Sequence, residues 1–161
     1  MFVEQRPHLF ENGCDLHAML ALFLQIMEHP SLVVSLPIIY AWTKLLASPT
    51  MDSSTIIPSF ALPLLTICTK HLLRYEAFSN DSTDPTYLFL KEDFDTIPER
   101  HAFLGNYRRF CMAIIENIVR RNPQEGVSHL FTNAKSVIDR TIAQDDPLNG
   151  MLPSGTIWPA Y

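Results

Sequence analysis

Apolar residues recur along this chain with the three-to-four spacing of amphipathic helices, and nowhere do they alternate strictly as a half-buried strand requires. Five segments carry the pattern. The first runs from Cys14 to Glu28 and sets Leu16, Met19, Leu20, Phe23 and Met27 on one stripe, ending at His29-Pro30. The second, from Ser31 to Ala47, presents Val33, Leu36, Ile39, Tyr40 and Leu46. Trp42 lies among its apolar residues, and Pro37 is expected to kink it. The third repeats Ile57, Phe60, Ala61, Leu64, Leu65, Cys68 and Leu72 after an expected cap at Asp52 or Ser53, with a bend at Pro63.

The last two helices have the clearest start signals. Thr96-Ile97-Pro98-Glu99 sets a hydroxyl and a carboxylate at capping-box spacing beside an early proline, and Phe103, Tyr107, Phe110, Ile114 and Ile118 follow as a stripe. Asn122-Pro123-Gln124-Glu125 joins a cap, an N1 proline and an N3 glutamate, before Val127, Leu130, Phe131, Ala134 and Ile138. The predicted organisation is therefore all-α, one helical-repeat segment over 1–161: helical over 12–47, 52–75 and 97–144, an acidic insertion loop over 76–95, and an irregular tail over 145–161. Residues 79–90, rich in Asn, Asp, Ser, Thr and Pro, are expected to be the most mobile part of the interior. If that loop is ordered, Tyr87, Leu88, Phe89 and Leu90 are its anchors.

The second and fourth helices begin at Ser31 and Ile97. Without the insertion their starts are about 46 residues apart, within the period of HEAT or armadillo repeats. On that reading the first helix is the second half of an incomplete repeat, and helices two with three and four with five make two whole ones, an α-solenoid segment.

Composition narrows the function. Apolar residues are 47% of the 161 and charged residues 18%, ample for a core, while a formal net charge of −5 argues against a general nucleic-acid or anionic-membrane surface. Three scattered cysteines, Cys14, Cys68 and Cys111, without a C-x-x-C pair, fit a reducing compartment. The N-terminus lacks a signal-peptide core and no apolar run is long enough for a membrane span, so neither secretion nor a membrane partner is expected. Asn80-Asp81-Ser82 then reads as a solvated loop rather than a glycosylation acceptor.

Chemistry is sparse. The five glycines form no phosphate-cradling loop, the six histidines make no H-E-x-x-H or zinc-finger spacing, and no serine or cysteine sits in a nucleophile-elbow context. No enzyme, cofactor or metal is expected. Two charged groups are candidates for partner contact: the acidic Glu92, Asp93 and Asp95 of the insertion, and Arg108, Arg109, Arg120 and Arg121 of the fourth helix. For the acidic group a solvated loop is the alternative. For Arg120 and Arg121 it is complementing the helix dipole.

His29-Pro30-Ser31-Leu32-Val33-Val34-Ser35-Leu36-Pro37 followed by Ala41-Trp42-Thr43-Lys44-Leu45-Leu46 resembles a helix-turn-helix of the HEAT array in karyopherin-β transport receptors. Lys91-Glu92-Asp93-Phe94-Asp95 before His101-Ala102-Phe103-Leu104-Gly105-Asn106-Tyr107-Arg108-Arg109-Phe110 is similar to the exportin-5 branch, above all its fungal members. The resemblance covers most of residues 12–140 and carries no single-residue signature. It implies an internal piece of a far longer receptor that shuttles between nucleus and cytoplasm. Such a receptor, with GTP-bound Ran, carries structured RNA, transfer RNA or phosphoproteins past nuclear pore proteins. The alternative is a HEAT scaffold subunit that organises a complex without Ran. The piece itself is expected to be monomeric.

Overall fold

A computed structural model describes residues 15–49 and 56–144. Among them are six α-helices: α1 (Leu16–Met27), α2 (Leu32–Ala47), α3 (Ile57–Lys70), α4 (Pro85–Asp93), α5 (Ile97–Arg121) and α6 (Pro123–Gln144), with a 3-10 turn at Tyr75–Ala77. The described part is all-α, and its helices stack in two rows. One row holds α2 against α5, and the other α1 against α3 against α6. Between the rows α1 packs on α2, and α5 on both α3 and α6. Successive repeats of a helical solenoid pack in this way, first helix on first and second on second. The expected pairing of α2 with α3 is looser than that of α5 with α6, and runs through Trp42 and Phe60, whose ring centroids lie 5.9 Å apart.

Side-chain caps open α1, α2, α5 and α6, and those of α5 and α6 are the ones read from the sequence. Asp15 accepts from the Ala18 amide at 3.0 Å to open α1, and the Ser31 hydroxyl accepts from the Val34 amide at 3.4 Å to open α2. At α5 the Thr96 hydroxyl both accepts from the Glu99 amide and donates to the Glu99 carboxylate, at 3.4 and 2.9 Å. At α6 the Asn122 side chain accepts from the Glu125 amide, 3.4 Å, and donates to the Glu125 carboxylate. α3 begins at Ile57, with Ile56 in the N-cap position and no side-chain cap, rather than at the cap expected at Asp52 or Ser53; those two residues and the tail over 145–161 lie outside the described residues. α3 ends at Lys70 rather than 75, and α2 and α3 continue through the exposed Pro37 and Pro63.

The insertion differs most from expectation. Instead of a loop throughout 76–95, Pro85–Asp93 is the helix α4, packed on α2. Asp84 accepts from the Tyr87 amide at 2.9 Å and Pro85 takes the N1 position, the same grammar that opens α6. Burial of Tyr87 and Leu90 anchors the helix, and Tyr87 reaches back to the Asn80 side chain at 3.3 Å. Of the four expected anchors, Leu88 instead faces outward and Phe89 is half-buried.

The stripes are also rotated from those expected. In α2 the buried positions are Leu32, Ser35, Ile39, Trp42, Leu45 and Leu46, whereas Val33 and Tyr40 are exposed. In α5 they are Leu104, Tyr107, Cys111, Ile114 and Ile118, with Phe103 and Phe110 at the margin. In α2 the shift is close to one residue. In α5 it is smaller: Leu104 and Cys111 take the places expected of Phe103 and Phe110, while Tyr107, Ile114 and Ile118 stay at the centre. Both helices are enclosed from more than one side, and their wide apolar faces leave the centre of the stripe ambiguous.

Candidate partner interface

The predicted charged residues do not form one surface. α5 extends about 35 Å from Ile97 to Arg120 at 1.5 Å per residue. Glu92, Asp93 and Asp95 lie at its start and Arg120 and Arg121 at its end.

The acidic group is exposed but partly engaged. Asp93 ends α4 and accepts from the Ser31 hydroxyl at 3.2 Å, so it ties the insertion to the cap of α2. His29 supports the same corner, its Nδ1 accepting from the Ser31 amide at 3.0 Å and its ring lying 5.8 Å from that of Phe89. Phe94 stacks on Phe103 at 4.7 Å and fixes the linker between α4 and α5. Glu92 and Asp95 are left facing solvent. The structure thus gives Asp93 a structural bond and leaves two carboxylates for outside contact.

The four arginines divide similarly. Arg108 forms a two-pronged ion pair with Glu76, with Nη1 donating to Oε2 at 3.0 Å and Nη2 donating to Oε1. The pair fastens the 3-10 turn to α5. Arg108's hydrogen bonds hold the Glu76 carboxyl below its ordinary pKa, and the carboxylate in turn raises that of Arg108. Arg108 is accordingly committed within the chain. Arg109 is exposed, one position round the helix. Arg121 donates through Nη2 to the Leu46 carbonyl at 2.7 Å and so ties the last turn of α5 to the last turn of α2. Arg120 beside it is exposed.

Arg120 and Arg121 border a cleft of about 600 Å³ where the end of α2, the start of α3, the end of α5 and the start of α6 meet. Leu46, Ile57, Ala61 and Ile118 make its apolar side; Asn117, Asn122 and Glu125 make the polar one. Its volume falls in the range of small-ligand sites. Sequence reasoning singled out the arginines but not the cleft, because its walls come from residues 46 to 125 and no local motif joins them.

A second missed feature is internal. Tyr107, fully buried at the centre of α5, lies 2.7 Å from the Ser35 hydroxyl and 3.1 Å from His71 Nδ1. Ser35 also reaches the Leu32 carbonyl at 3.1 Å. With one proton per hydroxyl, all three contacts are satisfied when Ser35 donates to Leu32, Tyr107 donates to Ser35, and His71 carries its proton on Nδ1 and donates to Tyr107. Burial, aided by the charge of the neighbouring Lys70, lowers the His71 pKa to about 4, and burial pushes Tyr107 well up. Both are neutral at ordinary pH. The network joins α2, α3 and α5 and is structural. Next to it Cys68 and Cys111 are buried free thiols, and a hydrogen bond with Cys111 together with burial raises the Cys68 pKa, the opposite of an activated nucleophile.

Among the described residues no helix is long and apolar enough to cross a membrane.

Comparison with known proteins places the sequence in a family. Residues 9–153 match the Exportin-5 family. The chain belongs to that family. A curated relative in fission yeast, the uncharacterized protein C328.01c of Schizosaccharomyces pombe (strain 972 / ATCC 24843), is 29% identical over 119 residues, 73% of this chain and 10% of that protein. The aligned part thus spans about a tenth of the relative's length. No solved structure matches the chain. In this exportin-5 family member the two rows of stacked helices leave a cleft at the end of α5, bordered by Arg120 and Arg121.

Proposed function

We propose that this chain is a segment of a nuclear export receptor whose full-length form binds GTP-bound Ran together with cargo, structured RNA, transfer RNA or phosphoprotein, and passes nuclear pore proteins between nucleus and cytoplasm. The supporting observation is the match to the Exportin-5 family over residues 9–153, on a chain folded as stacked helix pairs. In this reading the segment works by binding alone, with no catalytic residue and no cofactor. Its contribution is to hold neighbouring patches at fixed spacing, so that weak contacts add through effective concentration. A single segment with a net charge of −5 should bind duplex RNA no more tightly than the ~10⁻⁴ to 10⁻⁶ M of non-specific association at physiological salt.

Export by the tagged full-length protein is the test. The receptor should shuttle, and its rapid depletion should trap at least one class of structured RNA or phosphoprotein in the nucleus within one transport cycle. Exclusive residence in a stable cytoplasmic complex, with no cargo trapped on depletion, would favour a scaffold subunit instead.

A further inference from the structure

The apolar residues of α6 are only partly covered. At about 100° of turn per residue, Leu130, Ala134, Val127, Ile138 and Phe131 fall in one strip about 100° wide. Leu130, at one edge of the strip, packs against the core, whereas Val127, Ala134, Ile138 and Phe131 are exposed. Beside the Leu130 edge, where α6 lies along α3, is a recess of about 470 Å³ with Leu73 on one side and Leu130 and Ala134 on the other. The hydroxyls around it are engaged within their own helices: Thr66 donates to the Leu62 carbonyl at 3.0 Å, Thr69 to that of Leu65 at 2.7 Å and Ser136 to that of Asn133 at 2.8 Å. Lys70 is the one charged residue on its walls. Recess and strip together make a continuous surface that is apolar and almost without charge.

We infer that the occupant of this surface is the chain's own segment 151–158, which returns along α6 and sets Ile157 and Trp158 into the recess. The inference is independent of the receptor reading above. Reach, turn chemistry and composition select this occupant. The described residues end with α6 at Gln144, and Ala134 lies ~15 Å back along that helix, whereas the chain from 145 to 158 can span up to ~45 Å. Pro147 and Asn149-Gly150 are turn residues placed where the reversal is needed. From residue 147 to residue 161 there is no Asp, Glu, Lys or Arg, while Met151, Leu152, Ile157 and Trp158 are large and apolar. An uncharged segment therefore meets an almost uncharged surface, and neither side leaves an ion buried without a partner. A nucleic acid would set its phosphates against a single lysine. A second copy of the chain would lose translational and rotational freedom on docking, a loss that the covalent tether of the segment avoids.

Acrylamide quenching of tryptophan fluorescence in the full 161-residue chain reads the contact directly. The two tryptophans are Trp158 and the fully buried Trp42, and a Trp158→Phe variant isolates the share of Trp42. Trp158 should be quenched about fivefold more slowly than in a free peptide of residues 147–161. Ala134→Arg, which fills the recess from an exposed position, should bring the quenching of Trp158 to within about twofold of that peptide. Leu73→Asp, which puts a charge on the opposite wall, should do the same. Met112→Asp, an exposed change on α5 away from the recess, should leave Trp158 as shielded as in the parent. Thermal melts should show all three variants folded, and sedimentation should show the shielding at concentrations where the chain is monomeric. The inference fails if Trp158 of the parent is quenched as fast as the peptide, or if its shielding survives both Ala134→Arg and Leu73→Asp. It also fails if the shielding is lost on dilution together with a dimer, which would make a second copy the occupant. Each of these results leaves the receptor's Ran binding and cargo export to be judged by their own assays.

Discussion

Helices α5 and α6 begin with the same capping chemistry, are similarly long and carry equally regular apolar stripes, yet they occupy opposite environments. α5 is enclosed by α2, α3 and α6, and its Tyr107, Cys111 and Ile114 are completely buried. α6 rests on α3 and α5 by a narrower strip that includes Leu130, and Phe131 and Ile138 remain 73% and 57% exposed. Gly126, buried where α6 meets α5, lets the helices approach closely: a Cβ there would lie 3.1 Å from Val119 Cγ2 and 3.3 Å from Val119 Cα. The period of a helix thus says that one face is apolar. Whether that face is covered depends on how many neighbours reach it.

Substitutions sharpen the contrast, and the largest effect belongs to α5. Ile114→Ala, at a fully buried position, should destabilise the chain by about 2–5 kcal/mol in urea unfolding. Phe131→Ala removes a larger side chain and should cost under ~0.5 kcal/mol. Equal losses at the two sites would erase the distinction.

Acid should act next, through α5's partner His71. Its pKa is lowered in the folded state to about 4 from an ordinary 6.5, so the folded chain resists a proton that the unfolded chain accepts. Stability is therefore complete above pH 6.5, falls as the pH drops towards 4, and levels off below, a loss on the order of 3 kcal/mol. A His71→Asn variant should lose most of that slope between pH 6.5 and 4. An unchanged slope would show that His71 is not the group responsible.

Tyr107→Phe should be milder, costing about 1–3 kcal/mol, because Ser35 and His71 each lose a buried partner while the ring stays in place. Smallest should be Gly126→Ala. The added methyl meets the Val119 backbone, which cannot swing aside, and this offsets the gain in helix propensity; the expected net loss is about 1 kcal/mol or less. A clear stabilisation would show that α6 shifts freely on α5.

How much of this was legible in the sequence follows the same division. α5 and α6 were readable to the residue at their starts, because Thr96–Glu99 and Asn122–Glu125 are local chemistry. α4 was missed although Asp84-Pro85 carries the same cap-and-proline signal. Its acidic surroundings suggested a loop, and only two of its residues, Tyr87 and Leu90, are buried, too few to make a stripe. The all-α class and the repeat spacing were legible because they depend on period alone. The candidate site was half legible: charge picked out Arg120 and Arg121, but Arg108 looked equally available until its pairing with Glu76 was seen, and Asp93 until its bond to Ser31 was. Such partners are 32 and 62 residues away in sequence, beyond any local pattern.

The measurement closest to the central claim, that this is part of a Ran-dependent export receptor, is a titration of the full-length protein with Ran locked in its GTP state and, separately, in its GDP state. The account predicts saturable binding to the GTP form, at least a hundredfold weaker binding to the GDP form, and a gain in affinity for the GTP form when cargo is present. Equal affinity for both nucleotide states, or no binding to either, would contradict it.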